Sequence, residues 1–259
     1  VTGTGFSTIL ANNTVTFGGV AGTVTAATST SLTVTVPAGA VSGNVVVTSS
    51  GRSLTAATAV TVVPVPTITS FTPGLVAVGG TVVITGTGFS TTAAQNVVKF
   101  GTVTATVTNA TATALTVTVP TLTVGASNTI TVTYAGVTAT SGSSYTVVAT
   151  PTLTSVAPTT VVVGGTVTIT GTNFSTTASD MVVKFNGASA TITNATATSL
   201  TITVPNGATT GTITLEYAGY TRTSGTVTVV PAPTYSSFSP TTLAVGGTVV
   251  ITGTGFSTT

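Results

Sequence analysis

Apolar and polar residues alternate one for one along much of this chain, as in strands with one buried face. The stretch Pro66–Ala149 shows the pattern most fully. Pro66–Pro73 (PTITSFTP) alternates and ends on proline, which suits an edge strand. Gly79-Gly80 marks a turn, and Thr81–Phe89 (TVVITGTGF) predicts a half-buried strand with a bulge or bend at its glycines. Val97–Phe100 is a short strand before Gly101. Thr113–Val119 (TALTVTV) and Asn128–Tyr134 (NTITVTY) alternate strictly, and Ser144–Val148 closes the stretch before Pro151. No segment carries the 3.6-residue period of a helix, and β-branched Thr, Val and Ile dominate throughout. Seven or so short strands between turns predict an all-β, immunoglobulin-like two-sheet sandwich.

The layout then repeats. Pro151, Gly164-Gly165, Phe174, Lys184-Phe185, Thr198–Val204 and Tyr217-Ala-Gly219 retrace it, and Ala77–Thr92 recurs letter for letter at Ala244–Thr259. Phe6, Phe89, Phe174 and Phe256 stand 83, 85 and 82 residues apart. Copied modules of this size predict a tandem array of small domains. We expect a partial module at 1–64 lacking its first strands, full modules at 65–149 and 150–231, and the opening of another at 232–259. One chain's tail could supply the strands that the first module lacks. Val1–Thr8 duplicates Ile251–Thr258, however, so two copies would compete for one position, and a longer tandem array is the plainer reading.

Composition narrows the function. Four basic residues (Arg52, Lys99, Lys184, Arg222) and two acidic ones (Asp180, Glu216) make the chain 2% charged, against about 25% in ordinary domains. There is no His, Cys or Trp. That removes catalytic triads, thiol nucleophiles and the usual zinc sites, and two acids cannot give each module a carboxylate pair or a calcium cage. No enzyme, cofactor or metal site is expected. Four scattered cations offer no phosphate-binding patch, so nucleic acid is not an expected partner. The mean hydropathy is +0.67, yet no apolar run reaches the ~18 residues of a spanning helix.

The string PTITSFTPGLVAVGGTVVITGTGF, followed by VVKFG, TVTVP and VTYAG, resembles the IPT/TIG domain. The resemblance covers the whole chain. It implies an immunoglobulin-like module of bacterial surface and adhesion proteins, receptor ectodomains and some transcription factors. It brings no catalytic residues, and the loop cations of its DNA-contacting branch have no counterpart here.

Three sets of residues have both a chemical and a structural reading. Lys99 and Lys184 are equivalent, and Glu216 lies on a strand expected beside Lys184, with Thr133 at the matching place in the other module. A Lys–Asn isopeptide bond promoted by a buried acid is one reading, and a surface ion pair worth about 0–1 kcal/mol is the other. Asn12, Asn109, Asn173 and Asn194 begin Asn-X-Ser/Thr triplets, which mark either glycosylated loops or a Thr-rich sequence with Asn-Ala turns. Phe6, Phe17, Phe71, Phe89, Phe100 and Tyr134 recur at fixed module positions, which favours core packing over a sugar-stacking platform.

Scarce charge leaves strand edges unguarded and like modules without mutual repulsion. We therefore expect a structural repeat segment of an extracellular, bacterial cell-surface filament or adhesin stalk, with like modules as its partners. The alternative is an array whose loops hold glycans or a receptor.

Overall fold

Thr and Val suit a pleated surface and crowd a helix, and the chain follows that preference from end to end. The computed structural model describes residues 1–231 and 233–256. They form two units, Val1–Val65 and a second beginning at Pro66.

The first unit has one ladder: β1 (Asn13–Phe17), β2 (Val20–Ala27), β3 (Leu32–Thr35), β4 (Gly43–Ser49) and β5 (Arg52–Val60), in the order β3-β2-β1-β4-β5. Its core is small: Val15, Phe17, Leu32, Val45 and Val47. Val1 exchanges backbone hydrogen bonds with Leu32 and so stands where a further strand would pair.

The second unit starts with β6 (Thr67–Thr72), β7 (Leu75–Val76), β8 (Thr81–Thr87), β9 (Val97–Phe100), β10 (Val103–Ala110), β11 (Ala114–Thr118), β12 (Ser127–Tyr134) and β13 (Val137–Val147). They hydrogen-bond in the order β6-β8-β11-β10-β9-β12-β13-β7. The start of β10 pairs with β9 and its end with β11, so this strand passes from one sheet to the other. The cis Thr72–Pro73 bond lies between β6 and β7, which belong to opposite sheets. Val82, Ile84, Leu115 and Val117 from one sheet cluster with Val98, Phe100, Ile130 and Val132 from the other, all essentially inaccessible. Each such side chain contributes roughly 1.5–3 kcal/mol by burial. The rings of Phe100 and Tyr145 meet at 5.0 Å, tilted by 56°.

A second sandwich repeats the first: β14 (Thr152–Ala157), β15 (Thr160–Val162), β16 (Thr166–Thr172), β17 (Val182–Phe185), β18 (Ala188–Ala195), β19 (Ser199–Thr203), β20 (Gly211–Tyr217) and β21 (Tyr220–Val230). Its strand order is the same, β14-β16-β19-β18-β17-β20-β21-β15. The hairpin β22 (Thr234–Ser239) and β23 (Val250–Thr254) then retraces β6 and β8.

Two features depart from the sequence expectation. The strands β10 and β18 occupy 103–110 and 188–195, where Asn109-Ala and Asn194-Ala were expected to turn. The turns come just after them and are built by Thr111 and Thr196, whose hydroxyls accept the amides of Ala114 and Ser199 at 2.9 and 3.0 Å. The last strand of each sandwich is also longer than expected, reaching back to Val137 and Tyr220.

Threonine accounts for both the low charge and the irregular strands. Outward pairs such as Thr67–Thr87 (2.8 Å) and Thr133–Thr138 (2.7 Å) satisfy one another across strands. Thr69, Thr154 and Ser236 are the extra residues of β-bulges, and each bonds the facing carbonyl of Thr85, Thr170 or Thr252 at 3.0–3.1 Å. The bulges lie opposite Gly86, Gly171 and Gly253. A Cβ on Gly86 would collide with the Thr67 carbonyl and the Phe89 ring, so the glycine of the GTGF motif lets β6 approach β8.

Candidate functional site

The two sandwiches meet through two turns. One joins β7 to β8, at residues 77–80, and the other joins β20 to β21 at Ala218-Gly219. Left-handed backbone at Ala218 (φ 52°) and Gly219 (φ 82°) turns both carbonyls toward the neighbouring sandwich. Ala77 N–H donates to Ala218 O at 3.0 Å, and Thr81 N–H donates to Gly219 O at 2.8 Å. Tyr220 adds its hydroxyl to Val78 O at 2.5 Å. Each bond is worth about 1 kcal/mol net.

Packing is as close as the hydrogen bonding. Ala77 is fully buried within the core cluster of the β14–β21 sandwich, and Leu75 and Val148 rest against that cluster. A Cβ at Gly80 would lie 2.6 Å from Ala218 O, and one at Gly219 would lie 2.5 Å from Thr81 O. Only glycine fits at these two places. The guanidinium of Arg222 sits 4.3 Å from the Tyr220 ring centroid and donates from Nε to Pro151 O at 2.9 Å. The matching turn of the other sandwich, Ala135-Gly136, has φ values within 3° of these (49° and 81°), but Val137 stands in place of Tyr220 and is 44% exposed.

Beside the joint is a cleft of about 380 Å³. Asp180, Glu216, Tyr217 and Tyr220 line it from one sandwich, with Thr72, Pro73, Thr81 and Val83 from the other. Ser175 donates to Asp180 Oδ2 at 2.5 Å, and Lys184 Nζ to Glu216 Oε1 at 2.8 Å. Burial raises the pKa of Tyr217 first, the Asp180 charge raises it further, and Ser175 works in the opposite direction.

The sequence candidates separate clearly. Lys184 and Glu216 are joined as a diagonal cross-strand pair, with side chains 38% and 45% exposed. Glu216 is therefore no buried acid, and the isopeptide reading gives way to a surface ion pair. Lys99 stands beside Thr104 and Thr131. Asn12, Asn109, Asn173 and Asn194 are all exposed and all on or next to strands, and Asn173 donates to Thr150 O at 2.8 Å. Phe17, Phe89, Phe100, Phe174 and Phe185 are core residues. Tyr235, Phe238 and Phe256 instead line an apolar hollow of about 600 Å³ on the β22–β23 hairpin. Their counterparts Ile68, Phe71 and Phe89 belong to the sandwich core, so the hollow is core surface. The sequence reading missed the joint and the aromatic pair Tyr217/Tyr220 flanking its turn. The difference between Val137 and Tyr220 was the available signal.

Among the described residues no group of three or more His, Cys, Asp or Glu could hold a metal ion, and no helix is long and apolar enough to cross a membrane.

No curated protein matches the chain. Among solved structures it is similar to a full Plexin A4 extracellular region (TM-score 0.38, 19% identity, 68% of this chain and 16% of that one). It is also similar to a surface glycan-binding protein from Prevotella bryantii (TM-score 0.30, 17% identity, 62% of this chain and 41% of that one). The chain thus spans less than half the length of either, and at these scores no property of those proteins transfers. The family model of the IPT/TIG domain matches three times, at residues 1–62, 66–148 and 151–230. The chain belongs to the IPT/TIG domain family, as three tandem copies of its module.

Proposed function

We propose that this chain is a structural repeat segment of an extracellular, bacterial surface filament or adhesin stalk, divided at 64/65, 149/150 and 231/232. The observation that carries the reading is the joint. Two backbone hydrogen bonds, one tyrosine hydroxyl and a shared core alanine fix one sandwich to the next. A linker that only strings ligand-binding domains together needs none of these, whereas a spacer that holds a tip away from an envelope needs all of them. An array of identical binding loops is disfavoured by the departures from the repeat. Gln95, Thr133 and Val137 stand where the later sandwich has Asp180, Glu216 and Tyr220.

Lateral association is part of the proposal. The terminal strands β6 (TITSFT) and β14 (TLTSVA) carry no charge, and charge is the usual guard of an exposed edge. Immunogold labelling of intact cells of the source organism tests the reading. Label outside the envelope on extended material is expected, and label seen only after the cells are broken would overturn it.

A further inference from the structure

In a chain that copies itself, the places where copying stops are informative. Asp180, Glu216, Tyr220 and Arg222 replace Gln95, Thr133, Val137 and Ala139 of the preceding sandwich. These four substitutions converge in space. Both acidic residues of the entire chain line the cleft beside the joint, although nothing in the repeat requires an acid at either place.

The carboxylates are only partly used. Asp180 accepts from Ser175 through Oδ2 and Glu216 accepts from Lys184 through Oε1, which leaves Oδ1 and Oε2 to accept from a ligand. Tyr217 lines the same cleft and is only 6% exposed. Pro73, Val83 and Val182 give the lining an apolar part, beside the hydroxyl-bearing Thr72, Thr81 and Thr221.

This chemistry selects among ligands. An anion would meet two carboxylates. A calcium ion takes six to eight oxygens, and one of the two acids is already neutralised by Lys184. A ligand with adjacent hydroxyl donors on one edge and a C–H face on the other satisfies both walls, because hydroxyl-to-carboxylate bonds are the charge-assisted kind. The cleft volume of about 380 Å³ falls in the range of small-molecule sites, roughly 300–1,000 Å³. We propose that the cleft binds a neutral pyranose unit, with vicinal hydroxyls on Asp180 and Glu216 and its C–H face on Pro73 and Val83. The site goes beyond the stalk reading and does not depend on it, since a stalk holds with its cleft empty.

The repeat supplies a variant expected to fold. Asp180→Gln together with Glu216→Thr installs the residues that the preceding sandwich carries in the same fold. The full chain, labelled with ¹⁵N, is titrated with maltose, cellobiose and lactose in turn, and with calcium chloride as a separate arm. With at least one sugar, amide shifts confined to residues 72–83, 180–182 and 216–221 are expected. The double variant should weaken that binding by about 100-fold while its untitrated spectrum stays dispersed. Absence of shifts with all three sugars overturns the proposal. So do equal shifts in the variant, or shifts at this cleft with calcium alone.

Discussion

The Tyr220 hydroxyl donates to the carbonyl of Val78, 142 residues earlier in the chain and in the preceding sandwich, at 2.5 Å. With the two turn-to-turn backbone bonds beside it, this contact ties the two modules directly to each other.

Removing the hydroxyl alone isolates that contact. Tyr220→Phe keeps the ring under Arg222 and leaves Val78 O without its side-chain partner. We expect a loss of about 1 kcal/mol, read as a lower denaturant midpoint with the slope unchanged.

Gly219 and Gly136 form a matched pair. Both are left-handed, at φ 82° and 81°, so alanine at either place meets the same backbone penalty of roughly 1–2 kcal/mol. At Gly219 the new methyl also collides with Thr81, whereas at Gly136 nothing lies within 4 Å. Gly219→Ala should therefore destabilise clearly more than Gly136→Ala. Equal losses in thermal unfolding would mean that the joint is not tight.

Much of this architecture is legible in the sequence, and the gaps have physical causes. The strict alternation of Thr113–Val119 and Asn128–Tyr134 is present as β11 and β12, because neither strand is interrupted. The β10 strand was missed because the bulge at Thr108 breaks its period just where Asn109 suggests a turn. The β13 strand was cut short for a similar reason. At Ser141 the ladder skips, and the serine hydroxyl takes the Ile130 amide at 3.0 Å in place of a carbonyl. The joint was illegible because it depends on which two turns meet, and two Gly-containing turns far apart in sequence carry no mark of each other.

Gly86 tests the reading of the GTGF motif. Gly86→Ala places a methyl against the Thr67 carbonyl and the Phe89 ring, so β6 must move away from β8. A loss of about 3 kcal/mol is expected, with hydrogen-exchange protection lost first along Thr67–Thr72.

Stability should barely respond to pH until the tyrosines titrate. The chain has no histidine. Burial raises the phenols of Tyr145 and Tyr217 above their ordinary pKa of about 10. The unfolded chain therefore gives up these protons first, and stability that is complete below about pH 10 is lost as the pH rises through the folded values. Denaturant midpoints measured from about pH 6 to pH 11 should be level and then fall, and a midpoint that rises at the alkaline end would contradict the assignment.

The most direct test of the joint is residual dipolar coupling of the backbone amides in the intact chain, in a weakly aligning medium. Couplings from 66–148 and from 151–230 should fit a single alignment tensor, and Gly219→Ala should divide them into two. Two different tensors in the unaltered chain would mean that the sandwiches move independently, and the account of a built, stiff stalk would fail.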